Sequence, residues 1–151
     1  MEHHFRSLSA VFPIILKDKD GNVQILLHRR QNTGYKDGKW DIAASGHVDE
    51  GETAKMAVVR ECAEELGIDV KITDLSFVHL SHRLNNSGRT YYDIYFLVNR
   101  YEGIPKIMEP DKCSELSWFD INDLPNEIIE IRKTVLENYK NNIQYSEVIE
   151  C

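Results

Sequence analysis

Cysteine is scarce in this 151-residue chain: Cys62, Cys113 and Cys151 are odd in number and nowhere in C-x-x-C spacing. That argues against a cysteine zinc site and a disulfide framework, and it suits a reducing compartment, so a cytoplasmic location is expected. Positive charge is also short, with 18 Lys and Arg against 25 Asp and Glu and a net charge of -7. A chain of that sign is a poor partner for a nucleic-acid polymer or an anionic membrane, although it can take a polyphosphate if metal ions supply the positive charge. No apolar run approaches the ~18 residues that span a bilayer, and the N-terminus lacks the apolar core of a secretory signal. Internal repeats, low-complexity tracts and linkers are missing too. What remains is an ordinary composition, 42% hydrophobic and 28% charged. It fits one domain over residues 1–151, which would bury about two-thirds of its unfolded surface without metal or disulfide staples.

Against that background one stretch stands out, from Gly46 to Ile68, where acids, one arginine and three glycines form a loop followed by a helix. At about 100° per residue, Glu61, Glu64 and Glu65 fall within an arc of roughly 100° shared only with Ala54 and Ala57. Like charges three and four residues apart repel by a few tenths of a kcal/mol per pair, and no lysine follows Glu61 at i+3 or i+4. The opposite side carries Met56, Val59, Cys62, Ala63 and Leu66, an apolar stripe expected to face a core. A solvated helix face is the plain reading of such acids. Clustered hard oxygens on a fixed element also suit Mg²⁺ or Mn²⁺, which keep waters for a phosphate to displace.

Around this stretch, residues 8–16 read as a buried strand with Pro13 at an edge or bulge. The turn Asp18-Lys19-Asp20-Gly21-Asn22 leads into a second strand over 23–30, making a hairpin that ends in Arg29 and Arg30. Residues 40–45 read as a short strand before the Gly46 loop. Thr53 or Glu52 opens the helix, and Gly67 closes it. Further strands are expected at 71–82, 90–99 and 115–119. A final amphipathic helix would place Ile128, Ile131, Val135 and Tyr139 on one side, with a frayed tail from Asn141. Pattern alone gives an α/β or α+β class with a mixed sheet held between helices.

The spacing Gly46-x5-Glu52-x7-Arg60-Glu61-x-x-Glu64-Glu65-x-Gly67-Ile68 resembles the Nudix box at its fixed positions. Cys62 departs mildly from the bulky aliphatic the family places there, and Ser45 from a glycine. The resemblance implies the Nudix α/β/α sandwich and hydrolysis of a nucleoside diphosphate linked to a group X by metal-assisted attack of water on phosphorus. On that resemblance Glu61, Glu64 and Glu65 hold Mg²⁺ or Mn²⁺, and Glu61 is the favoured base. Arg60 pairs with Glu52, bracing loop against helix. Gly46 lets backbone approach the metal, and the Ser45 carbonyl is a further candidate ligand.

MutT-like members of the family resemble the stretch Glu102-Gly103-Ile104-Pro105 and place an extra metal-binding glutamate after it, here Glu109, with Asp111 as a substitute. One of Arg29 and Arg30 is expected to reach a substrate phosphate, since strand alternation sends neighbours to opposite faces. His47 is a candidate substrate contact. Asn126 resembles a base-contacting asparagine, with a helix N-cap as its other reading. Trp40, Tyr92 and Phe96 would stack a base or fill a core. Arg83, Leu84 and Asn85 stand where nucleotide-sugar and dinucleoside-polyphosphate hydrolases of the family carry a marker proline or tyrosine. The short chain, without an added N-terminal dimerisation segment, therefore leans toward a MutT-like nucleoside triphosphate pyrophosphohydrolase, monomer or homodimer. Alternatives are a nucleotide-sugar or ADP-ribose pyrophosphatase, a non-catalytic nucleotide sensor, and a diphosphate isomerase, for which no cysteine and histidine-rich metal constellation is readable.

Overall fold

A computed structural model describes residues 3–150; Cys151 lies outside them. The first strand, β1 (Leu8–Ile14), kinks at Ile15 and continues as β2 (Leu16–Lys19), which turns back into β3 (Asn22–Arg30). Short strands β4 (Trp40–Ile42) and β5 (Gly46–His47) lead into α1 (Ala54–Glu61). β6 (Leu75–Asn85) and β7 (Thr90–Val98) form a long antiparallel pair, followed by β8 (Cys113–Asp120), α2 (Glu130–Lys140) and β9 (Tyr145–Glu150). Two sheets result. A mixed five-stranded sheet has the order β5-β1-β7-β6-β9, and in the other sheet β3 is flanked by β2, β4 and β8. Mixed sheet and two helices give the α/β class expected.

Pro13 sits where the sequence pattern allows it: β5 pairs β1 only at Ala10 and Val11, so the chain beyond has a free side. Core forms on both sides of the mixed sheet. Ala57, Val58, Cys62 and Leu66 pack on Val11, Phe96 and Val98. Val135 and Leu136 pack on Phe12, Ile14 and Tyr95.

Four expectations need correction. The helix does not stay α-helical to its end: Cys62–Leu66 form a π turn, closed by Gly67 at φ 68. The core is centred on the row 54, 58, 62, 66, so Met56 and Ala63 are exposed, while Ala57 and Val58 are fully buried. On α2 the buried positions are Arg132, Val135 and Leu136, with Ile131 only partly covered and Ile128 buried ahead of the helix. The tail is not frayed. β9 pairs in parallel with β6 from Leu80↔Tyr145 to Asn85↔Glu150, and buried His79 anchors it with ring nitrogens 2.8 Å from the Ile143 carbonyl and 2.7 Å from Ser146 Oγ.

Candidate active site

One cavity of about 930 Å³ opens along β3, β7 and the box helix. Its two ends differ in chemistry. At one end Glu61, Glu64, Glu65 and Glu109 line the wall with Ser45, Gly46 and His47. The carboxylates get there by helix spacing. Ala57, Glu61 and Glu65 form one i, i+4 row beside the row that packs into the core, so Ala57 is buried and the Glu61 side chain is only 13% exposed. Glu64 lies a residue further round and is 54% exposed. Glu109 arrives by backbone: Lys106 N–H donates to the Leu66 carbonyl at 3.1 Å and Met108 N–H to that of Glu65 at 3.2 Å, laying the 106–109 connection over the helix end.

Arg60 carries this acidic end. It donates to Glu52 from Nη2 at 2.6 Å and from Nε at 3.1 Å, and Nη2 also donates to the His47 carbonyl at 3.0 Å, tying loop to helix as expected. Its Nη1 reaches further than expected, donating to Glu61 at 2.6 Å and to Glu64 at 3.2 Å. The charge relief that no lysine supplies therefore comes from the neighbouring arginine. The bond from Arg60 holds the Glu52 carboxyl below the usual range, and the bond to Glu52 raises the guanidinium. Gly46 leaves room for this arrangement: a Cβ there would fall 2.5 Å from the Glu61 carboxylate, which would have to move.

Glu65 is the odd member. Burial first, then Glu61 and Glu109, push its carboxyl well above the usual range, and its Oε2 is buried with no hydrogen-bond partner. Among the described residues no three His, Cys, Asp or Glu side chains close into a metal cage; Glu61 and Glu64 are drawn to Arg60 instead. An orphaned carboxylate oxygen beside two more carboxylates is nevertheless a donor set that a hard divalent cation would satisfy.

The other end is built on arginine. Arg30 donates to Asp41 at 3.0 Å, and Arg132 donates to the other Asp41 oxygen at 2.8 Å. Arg132 also lies 3.8 Å from Asp93, which takes two bonds from Arg83 at 2.7 and 3.2 Å. Arg83 finally donates to Glu150 at 3.1 Å, and Glu150 accepts from Tyr35 Oη at 2.7 Å. Asp41 and Asp93 are fully buried. Burial pushes the Asp41 carboxyl up, but Arg132 and Arg30 outweigh it and the group stays below the usual range. His28 lines the same cavity with a buried, unpartnered Nε2. Burial, with Arg30 and Arg132 adding to it and Asp41 opposing, lowers its pKa to about 4.

Of the two arginines ending β3, Arg30 lines the cavity, whereas Arg29 turns outward to Glu115 at 3.3 Å and Glu127 at 2.9 Å. His47 lines the cavity, with Nε2 3.5 Å from Tyr91 Oη. Asn126 is exposed and outside the cavity lining, and it is not the N-cap of α2, which is Ile129. Backbone bonds of Trp40 with Glu127 and Ile129 hold that segment against β4 and start the helix later. Asp111, Trp40, Tyr92 and Phe96 are likewise outside the lining; Trp40 and Phe96 are core. Sequence reasoning missed Asp41, Arg83 and Arg132. Two of them carried a signal, a charge set inside an apolar strand (Trp40-Asp41-Ile42) and one on the apolar face of a helix (Arg132).

The family model described as NUDIX domain matches residues 7–139. The chain is 35% identical over 116 residues to "ADP-ribose pyrophosphatase" of Methanocaldococcus jannaschii, covering 77% of this chain and 63% of that protein. It is 31% identical over 125 residues to "Oxidized purine nucleoside triphosphate hydrolase" of Danio rerio, covering 78% and 70%. The solved structure of a MutT NUDIX hydrolase from Burkholderia pseudomallei superposes with a TM-score of 0.75 at 28% identity, covering 88% of this chain and 98% of that one. The chain spans between 30% and 66% of the length of the first curated relatives it matches. The family model spans most of the chain and the fold superposes on that of a family member, and the chain belongs to the Nudix family.

Proposed function

We propose that this chain, as one Nudix domain, hydrolyses a phosphoanhydride bond in a nucleoside diphosphate linked to X, with a nucleoside triphosphate as the favoured substrate. The observation that carries the reading is the acidic end of the cavity, where Glu61, Glu64, Glu65 and Glu109 meet beside Gly46 and one carboxylate oxygen has no partner. Glu61, Glu64, Glu65 and Glu109 would hold Mg²⁺ or Mn²⁺. The bound ion supplies positive charge to the phosphate oxygens and acidifies water. Water adds its oxygen to phosphorus, the bridging P–O bond breaks, and Glu61 receives the water's proton. Arg60 keeps Glu61 and Glu52 in register, and Arg30 supplies a charge-assisted donor on the substrate side. Placement supports this reading: all of these residues but Glu52 and Arg60 line the cavity, and those two brace its wall.

The ADP-ribose pyrophosphatase match keeps a second substrate class in view, an adenosine diphosphate carrying a sugar. Release of pyrophosphate from nucleoside triphosphates and oxidised nucleotides in Mg²⁺, set against formation of a nucleoside monophosphate and a sugar phosphate from ADP-ribose and nucleotide sugars, separates the classes. Glu61→Gln is expected to lose about three or more orders of magnitude in rate with circular dichroism unchanged. Turnover near that of the parent would remove Glu61 from the chemistry. No turnover of any nucleotide, with Mg²⁺ uptake retained in calorimetry, would favour a sensor.

A further inference from the structure

Among the described residues, the buried charges at the arginine end of the cavity balance. Arg30, Arg83 and Arg132 are joined in one chain of contacts to Asp41, Asp93 and Glu150, three guanidinium groups to three carboxylates. The buried imidazole of His28 adds no charge at neutral pH. Arg89 and Lys112 also line the cavity but are exposed, where water screens them. Five of the six members of the chain come from β3, β4, β6, β7 and α2. The sixth, Glu150, is the last residue of β9, sits behind Arg83 with its side chain 10% exposed, and also holds the Tyr35 hydroxyl on the cavity wall. Without it, Arg83 would keep Asp93 but the cluster would carry one uncompensated positive charge facing the cavity.

Resting on the hydrolase reading, we propose that Glu150 is a specificity-determining positioning residue. By cancelling the third arginine, it makes this end of the cavity select an uncharged, hydrogen-bonding part of the substrate and reject one bearing a further phosphate. The donors left over suit such a group. Arg30 and Arg132 each have a guanidinium nitrogen beyond those bonded to Asp41, Tyr35 and Tyr95, and the arginine planes cover the aromatic faces, Arg83 lying 4.2 Å from the Tyr91 ring and Arg132 4.0 Å from that of Phe12. A nucleobase or a sugar meets this wall as an uncharged ligand; a phosphorylated ribose meets no buried uncompensated cation there, only the exposed, water-screened Arg89 and Lys112.

The test is calorimetric binding of AMP against adenosine 2′,5′- and 3′,5′-bisphosphate at fixed salt and Mg²⁺. These ligands differ by one phosphate and require no turnover. The parent protein is expected to favour AMP by about ten-fold or more, and Glu150→Gln to shrink that preference roughly ten-fold or reverse it. Arg83→Gln/Glu150→Gln returns the cluster to two against two and is expected to restore the parent ratio; a purely structural Glu150 would leave the double variant as impaired as the single. Should Glu150→Gln fail to fold, Arg83→Gln alone leaves an excess carboxylate and is expected to widen the preference for AMP. Tyr35→Phe, which removes the hydroxyl and no charge, is expected to keep the parent ratio. Equal ratios in parent and Glu150→Gln, a parent that prefers the bisphosphates, or a parent that binds none of the three would overturn the proposal. Failure to hydrolyse any nucleotide would instead sink the activity while these ratios still decide the role of Glu150. Parallel kinetics on nucleoside triphosphates and ADP-ribose then separate a base from a sugar as the group held at this end.

Discussion

The two ends of the cavity handle buried charge in opposite ways. At the arginine end every buried charge has an opposite partner within the protein, through contacts that link five strands and a helix. At the acidic end four carboxylates meet, Arg60 bonds two of them, Glu61 and Glu64, and Glu65 keeps an oxygen with no partner. A fold that neutralises one set so thoroughly has the means to neutralise the other. The imbalance at the acidic end is what the proposed divalent cation would relieve, whereas the arginine end is neutralised from within the protein.

Breaking the balanced end should cost the most stability. Asp41→Asn keeps the shape and deletes the carboxylate that accepts from both Arg30 and Arg132, leaving two cations buried or nearly so. Loss of one partner from a buried pair costs about 3–5 kcal/mol, and a drop of that size is expected in urea denaturation. A drop under about 1 kcal/mol, the value of a surface pair, would show that the two ends do not differ as described.

The same end should show in the pH dependence of stability, with a slightly smaller effect. His28 takes a proton near 6.5 when the chain is unfolded and near 4 when folded, chiefly because it is buried. Between those values the unfolded chain binds a proton that the folded one refuses, so stability falls as pH drops through the window and His28 adds nothing above it. Relative to His28→Leu, the parent is expected to lose up to about 3 kcal/mol more between pH 7 and pH 4. Parallel slopes for the two proteins in urea titrations at stepped pH would show the imidazole to be charged or solvated in the native state.

Much of the acidic end was readable in advance because it is local: an i, i+4 row and a box spacing need only 23 residues, Gly46 to Ile68. The Arg60–Glu52 brace, eight residues apart, was readable for the same reason. The balanced end was not, since Arg132 and Asp41 are 91 residues apart and Arg83 and Glu150 are 67 apart, and only the fold brings them together. β9 escaped for a related reason. Tyr145-Ser146-Glu147-Val148-Ile149-Glu150 has too weak an alternation to announce a strand; it becomes one because β6 offers a free edge and His79 grips Ser146. The helix face differs for another reason: at about 100° per residue Ala54, Val58, Cys62 and Leu66 already share one side, and apolar character alone put Met56 and Ala63 on the core side although both lie outside that arc.

Crowding the acidic end should damage chemistry and leave stability nearly alone. In Gly46→Ala the new methyl meets the Glu61 carboxylate at 2.5 Å and must push it aside. Displacement of a reacting group by about 1 Å costs on the order of 100-fold in rate, or about 2.7 kcal/mol of barrier. The expected outcome is that fall in kcat with a urea midpoint close to the parent's. Normal kcat would mean that Glu61 has room to relax and that its placement is looser than its contact with Gly46 implies.

The smallest effect belongs to a charge cluster that resembles the balanced end and lies outside it. Arg29 also contacts two carboxylates, Glu115 and Glu127, but the three side chains are 34%, 54% and 57% exposed. Water already solvates every member, so pairing gains little beyond hydration and ties down long side chains. Arg29→Ala is expected to cost about 0–1 kcal/mol in urea denaturation and to leave KM for a nucleoside triphosphate within about two-fold of the parent. Arg30→Ala, one residue on and turned into the cavity, is expected to raise KM about ten-fold or more by removing a charge-assisted donor to the substrate. Matched KM changes for the two variants would show that strand alternation, and with it the side of β3 that faces the cavity, has been assigned to the wrong arginine.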